Sequence, residues 1–155
     1  MQAMLRLSLA GSGLATLATA GAFAASPIRV LIVDGQNNHD WRQTTPTPAR
    51  ILDESGLFRT TVATTPPKGA DFSAFRPEFR KFQVVVFNYN DFGGGSQWPA
   101  EVEQAFEEYV HGGGGFVSYH AADNAFPGWT AYNLMIGVGG WMNRLTPTPP
   151  TGDGP

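Results

Sequence analysis

Hydrophobic positions along the chain fall into continuous apolar runs separated by stretches of helical period. Ile28–Asp34, IRVLIVD, and Gln83–Tyr89, QVVVFNY, are rich in β-branched residues and predict central strands buried on both faces. Phe116–Tyr119, FVSY, predicts a further short strand, entered from the glycine run Gly112–Gly115. Phe58–Ala63, FRTTVA, is weaker and predicts a strand nearer an edge. Between Pro99 and His111, the positions Val102, Ala105, Phe106, Tyr109 and Val110 form one apolar helical stripe. Glu101 and Glu103 in its first turns and His111 at its end suit the helix dipole, and Gly112 stops it.

Other helices are less regular. Thr47 as a cap, Pro48 at the first position and Gly56 as a stop predict a helix with Ile51 and Leu52 facing inward. Phe72, Phe75, Phe79 and Phe82 recur at helical spacing, but Pro77 interrupts them, so a short or broken helix is expected with the rings in the core. Phe126–Ile136 predicts a helix supplied with Trp129, Tyr132, Leu134 and Met135.

Strands alternating with helices predict an α/β fold: a three-layer, flavodoxin-like parallel sheet in the order 2-1-3-4. Ligands of such sheets bind beyond the carboxyl ends of the strands, where the strand order reverses. Gln36–Trp41, Asn88–Asp91 and His120–Asp123 should line that crevice.

Composition narrows the chemistry. The 155 residues are 42% hydrophobic and 15% charged with a net charge of −3, which fits one globular domain. No basic stripe with interleaved aromatics is present, so nucleic acid is not an expected partner. There is no cysteine, which excludes disulfides, thiolate metal sites and cysteine nucleophiles. Arg6, the apolar stretch Leu7–Ala24 and the A-x-A site Ala22-Phe23-Ala24 read as a signal peptide over residues 1–24. Export to the periplasm or the extracellular space is expected, without stable membrane insertion after cleavage. Thr146–Pro155, TPTPPTGDGP, has no apolar pattern, and residues 142–155 are expected to be a disordered tail.

VLIVDGQNNHDW, VVVFNYN, YVHGGGGFVSYHAADNAFPGW and YNLMIG together resemble the ThuA-like (trehalose utilisation) family of the class I glutamine amidotransferase-like fold. The resemblance covers roughly Ile28–Trp141 and implies a flavodoxin-like sheet and a link to carbohydrate metabolism, with a sugar or sugar derivative as partner. Some relatives carry the label of secreted glycosyl hydrolase. His120 stands where the amidotransferases carry their nucleophile, so glutaminase chemistry cannot run here. After Trp141 the sequence departs from the family, whose members continue with further strands. The chain is therefore expected to be truncated, to leave an edge strand uncovered, and to hold Phe116, Phe126 and Trp129 partly in water.

His39 and His120 each follow a buried strand and should approach one crevice. One reading is a metal site, such as zinc, using both imidazoles and a carboxylate from Asp40, Asp91 or Asp123; zinc catalytic sites use three protein ligands. A second is acid–base work, since histidine titrates near neutral pH. A third is structural, with both rings ordering loops. Asp34, Asp40, Asp91 and Asp123 could supply paired carboxylates for glycoside hydrolysis. The residues assigned are His120 and Asp123 for catalysis, and His39, Asp40, Trp41, Asn88, Tyr89 and Asn90 for the substrate. A carbohydrate enzyme, a non-catalytic binding module and an inactive fragment are the functions left open.

Overall fold

A computed structural model describes residues 26–91 and 98–137. The expected signal peptide, the Gly93–Gly95 loop, Trp141 and the tail at 142–155 lie outside the described residues. Strands β1 (Ile28–Asp34), β2 (Phe58–Thr64), β3 (Val84–Phe87) and β4 (Gly115–Ser118) alternate with helices α1 (Trp41–Thr44), α2 (Pro46–Glu54), α3 (Ala100–His111) and α4 (Thr130–Met135). The sheet is wholly parallel, in the order β2-β1-β3-β4 expected for a flavodoxin-like fold. Among the described residues no helix is long and apolar enough to cross a membrane.

Successive strand residues face opposite sides. Leu31 and Val33 of β1 sit in register with Val85 and Phe87 of β3. All four are buried in one aromatic core with Phe106 and Tyr109 of α3, Tyr132 of α4 and Phe72, Phe75 and Phe79. Val30 and Ile32 point to the other side and are buried too, which is why β1 reads as a continuous apolar run. That second side is covered unevenly. Val62 at 44%, Val117 at 47% and Tyr119 at 41% are exposed.

Several elements differ from expectation. Phe72–Phe82 forms turns and a single 3-10 turn at Phe79–Lys81 instead of an α-helix. Pro77 has no N–H to donate, and its carbonyl accepts from Phe79 at 3.1 Å. The rings still reach the core. The first-half helix begins at Pro46 with Thr45 as its cap, not at Pro48. Pro48, Ala49 and Leu52 form its half-buried stripe, and Ile51, roughly a third of a turn away, is 58% exposed. The last helix starts only at Thr130. Phe126 takes φ +51°, and Pro127-Gly128 break the helical run before it. Phe126 and Trp129 are buried rather than wet, and Phe116 is half-buried against the same core. The 126–129 turn achieves this by folding onto α3, where the Trp129 indole N–H donates to Glu107 at 2.6 Å.

Asp53 at the end of α2 ties that helix to β2. It accepts the Thr60 N–H at 2.8 Å and the Thr60 hydroxyl at 2.7 Å. These bonds, the side-chain one foremost, hold its carboxyl below the ordinary 3.8. A lowered folded pKa contributes stability that is present above the unfolded value and lost as pH falls through the folded one. Urea midpoints measured on either side of pH 3.8 should therefore fall on the acid side. The Asp53→Asn variant should lack that part of the fall. An identical acid limb in the variant would show that the carboxylate carries none of it.

Candidate functional site

Three chain segments meet at the carboxyl end of the sheet: the loop after β1, the end of β3, and the junction after β4. A set of carboxamides fixes the first against the second. Asn37 Nδ2 donates to the Asn88 carbonyl at 3.3 Å and to Asn88 Oδ1 at 3.2 Å. Asn90 Nδ2 donates to Asn38 Oδ1 at 3.2 Å, and the Asn90 N–H donates to the Gln36 carbonyl at 2.9 Å. Asn88 Nδ2 reaches the Thr44 and Thr45 hydroxyls at 3.0 and 2.9 Å, which anchors α1 as well. The His39 N–H donates to Asn37 Oδ1 at 3.0 Å, and Asn38 Nδ2 lies 3.5 Å from His39 Nε2.

The result is a histidine pair. The His39 and His120 rings stack with centroids 4.7 Å apart and an angle of 20° between planes. Both residues are exposed to solvent, at the open side of the crevice. His120 has φ +51°. A non-glycine residue in that region is uncommon, and such strain gathers at functional sites. The Tyr119 N–H still bonds the Phe87 carbonyl at 2.9 Å, so the chain leaves sheet pairing and turns sharply within one residue. A 3-10 turn, His120–Asn124, follows. The geometry is that of a strand-to-turn elbow, which lifts one side chain above the sheet.

This strain has a measurable consequence. Glycine enters the left-handed region freely, whereas an L-residue with a Cβ loses about 1–2 kcal/mol there. His120→Gly should accordingly unfold at higher urea than His120→Ala, by about 1 kcal/mol. Equal midpoints would mean that position 120 is relaxed.

The other assigned residues divide. Asn88 and Asn90 are 3% and 2% exposed, and their amides are spent on loops, so they position the crevice instead of facing it. Tyr89 is buried in the aromatic core with its ring stacked on Phe126 at 5.3 Å, and presents no face to the crevice. Burial first, and then the Asp91 carboxylate, push its hydroxyl well above the ordinary tyrosine range. Asp40 is exposed before α1 and accepts from Gln43 at 2.6 Å. Trp41 is half-buried, with the Arg42 guanidinium 4.3 Å from its ring centre. Asp123 is half-buried within the turn that His120 begins.

The metal reading does not match this arrangement. Among the described residues no three His, Asp or Glu side chains gather to hold an ion. Imidazole lone pairs lie in the ring plane, and two nearly parallel rings do not aim them at one point. Asp34 and Asp91 are buried and already engaged. Asp34 accepts the Thr64 hydroxyl at 2.7 Å, and Asp91 accepts the Phe126 N–H at 3.0 Å. The second bond holds the strained turn at Phe126. Sequence inspection offers Asp91 as a metal-binding or catalytic carboxylate and misses its hold on Phe126, because that partner is 35 residues away.

The fold and the crevice define an α/β protein with a flavodoxin-like sheet and a histidine at the elbow beyond β4. The profile of the ThuA family, described as trehalose utilisation, matches residues 29–151, and the chain belongs to that family. The crystal structure of a ThuA-like protein from Parabacteroides merdae is similar, with 43% identity and a TM-score of 0.70. That similarity covers 76% of this chain and 40% of the other. Among curated proteins none matches.

Proposed function

We propose that the crevice binds a carbohydrate or sugar derivative and that His120, with His39 stacked on it, carries proton transfer in a hydrolase-like reaction. The observation behind this reading is the pair itself: two exposed imidazoles at 4.7 Å, one on a strained elbow, the other on a loop held by carboxamides. Preorganisation of that kind is what acid–base work on a bound ligand requires. The family's description supplies the sugar. Cysteine-dependent amidotransferase chemistry has no nucleophile, since the chain holds no cysteine and the elbow residue is His120. Asp123, in the turn that follows His120, is the carboxylate that can serve the pair. The A-x-A site at Ala22-Phe23-Ala24 supports action outside the cytoplasm.

A non-catalytic sugar-binding module is the second reading. It is favoured by the engagement of Asp34 and Asp91, the buried aspartates among the described residues, in hydrogen bonds within the fold.

Calorimetric titration of the full chain with glucose and trehalose tests binding, and release of sugar from aryl glycosides tests catalysis. His120→Ala should weaken binding about tenfold, the ~1.4 kcal/mol expected from loss of one good hydrogen bond. His39 and His120 ring signals that stay unmoved by every sugar would sink both readings. Binding without turnover would select the module.

A further inference from the structure

We propose that Asp91 and Tyr132 are positioning residues of His120: together they fix the backbone from which its imidazole stacks on His39. The inference deepens the proton-transfer reading and rests on it for its chemical meaning. Neither residue need touch the ring, because both act through the main chain.

The segment from His120 to Phe126 has a left-handed residue at each end, both at φ +51° and neither a glycine. Such backbone persists only where its surroundings over-determine it. Ala121, Ala122 and Ala125 between the two ends are buried. Their methyl groups carry no hydrogen bond, so main-chain partners must place the segment. Some of those partners are local. The Ala122 N–H donates to the Tyr119 carbonyl at 3.2 Å, and the Ala125 N–H to the Ala122 carbonyl at 3.0 Å. These bonds shape the turn, but bonds within a segment cannot set its height above the sheet.

Two bonds from other elements do that. The Asp91 carboxylate, just beyond β3, accepts the Phe126 N–H at 3.0 Å. Asp91 is itself buried, and a bond to an ionised acceptor is a strong one. The Tyr132 hydroxyl, from α4, donates to the Ala122 carbonyl at 2.8 Å. A carbonyl has two lone pairs, so Ala122 accepts from Ala125 and Tyr132 together. Tyr132 also reaches the far end, since its ring centre lies 5.0 Å from that of Phe126. On the near side, the Tyr119 N–H is tied to the Phe87 carbonyl. His120 thus lies between two tied residues, Tyr119 and Ala122, and the direction of its ring follows from theirs. Proton transfer needs its groups held to within about 0.5 Å, which is the task these two bonds perform.

Nuclear magnetic resonance on the full chain tests this. The His39 and His120 rings, with centroids 4.7 Å apart, should share a nuclear Overhauser cross-peak. Tyr132→Phe keeps the ring in the core and removes only the hydroxyl. It should lose the cross-peak and shift the His120 ring signals. Asp91→Ala should do the same. Asp91→Asn should keep the cross-peak, because its amide oxygen still accepts the Phe126 N–H. His111, at the end of α3, should be unmoved in all three. Val102→Ala, in the core on α3, shows what lost stability alone does. It should lower the urea midpoint and leave the cross-peak in place. A cross-peak that survives in either Tyr132→Phe or Asp91→Ala removes that residue from the role, and survival in both overturns the proposal. If Asp91→Ala does not fold, Tyr132→Phe decides. Survival leaves the proton-transfer reading standing. Loss of the cross-peak, with ring signals that glucose and trehalose never move in the unsubstituted chain, keeps the positioning role and sinks that reading.

Discussion

Gly35→Ala should cost about 2–6 kcal/mol, the sum of a strained backbone and an overpacked contact. Gly35 ends β1 with φ +117°, a conformation that a residue with a Cβ rarely adopts. Space is also lacking. A Cβ there would lie 2.6 Å from the Thr65 nitrogen and 2.7 Å from the Thr65 carbonyl oxygen, and backbone cannot swing aside as a side-chain tip can. Thr65 is held in turn, because its N–H bonds the Asp34 carbonyl at 2.8 Å. Any shift would pass straight into Gln36, whose carbonyl receives Asn90 and whose amide reaches the Pro66 carbonyl at 3.1 Å. The loop carrying His39 begins there, so the placement of His39 should be lost along with stability. Gly56→Ala is the control. Gly56 has φ +70° but nothing within 4 Å of its would-be Cβ, and should cost only about 1–2 kcal/mol. Urea unfolding of the two variants decides the matter, and equal losses would refute the close-packing argument.

What was legible in the sequence follows from range. β1 and β3 announce themselves because a strand buried on both faces must be apolar at every position, a local signal. Their order follows from simple parallel topology. That His39 and His120 share an end of the sheet follows from strand direction, since they follow β1 and β4 of one parallel sheet, the two strands that flank β3. Side-chain direction and partner choice were not legible. Asn88 and Asn90 look like ligand-facing groups because polar residues at strand ends often are, yet their partners lie in a loop some fifty positions earlier. Ile51 looks like core because it is apolar, but the inner stripe of α2 runs through Pro48, Ala49 and Leu52. The phenylalanines from Phe72 to Phe82 imitate a helix by spacing three and four apart, and a proline with no N–H overrules the spacing. Phe126 is the same lesson at the site's edge. Its left-handed turn is stabilised by Asp91, a contact that no local pattern encodes.

Phe87→Ala should be among the most damaging single changes in the core, at about 3–5 kcal/mol. Phe87 is wholly buried at the centre of the aromatic core. Its ring lies 4.7 Å from Phe106, 5.0 Å from Phe116, 5.4 Å from Trp98, 5.9 Å from Tyr132 and 6.4 Å from Phe126. Those partners come from α3, β4, the chain before α3, α4 and the Phe126 turn, so one ring ties five segments together. Each good aromatic pair adds about 0.5–1.5 kcal/mol beyond burial, and rings held by a rigid sheet cannot collapse into the void. A domain of ordinary stability has only about 5–15 kcal/mol in all, so this variant should be close to unfolded at room temperature. The site should fail with it, because the Phe87 carbonyl receives the Tyr119 N–H immediately before the His120 elbow. Phe87→Leu refills part of the space and should recover about half of the loss. Urea unfolding followed by near-ultraviolet circular dichroism reads both quantities, stability from the midpoint and ring packing from the folded signal. A loss under about 1 kcal/mol for the alanine variant would mean that α3 and α4 are held on the sheet by contacts other than this ring.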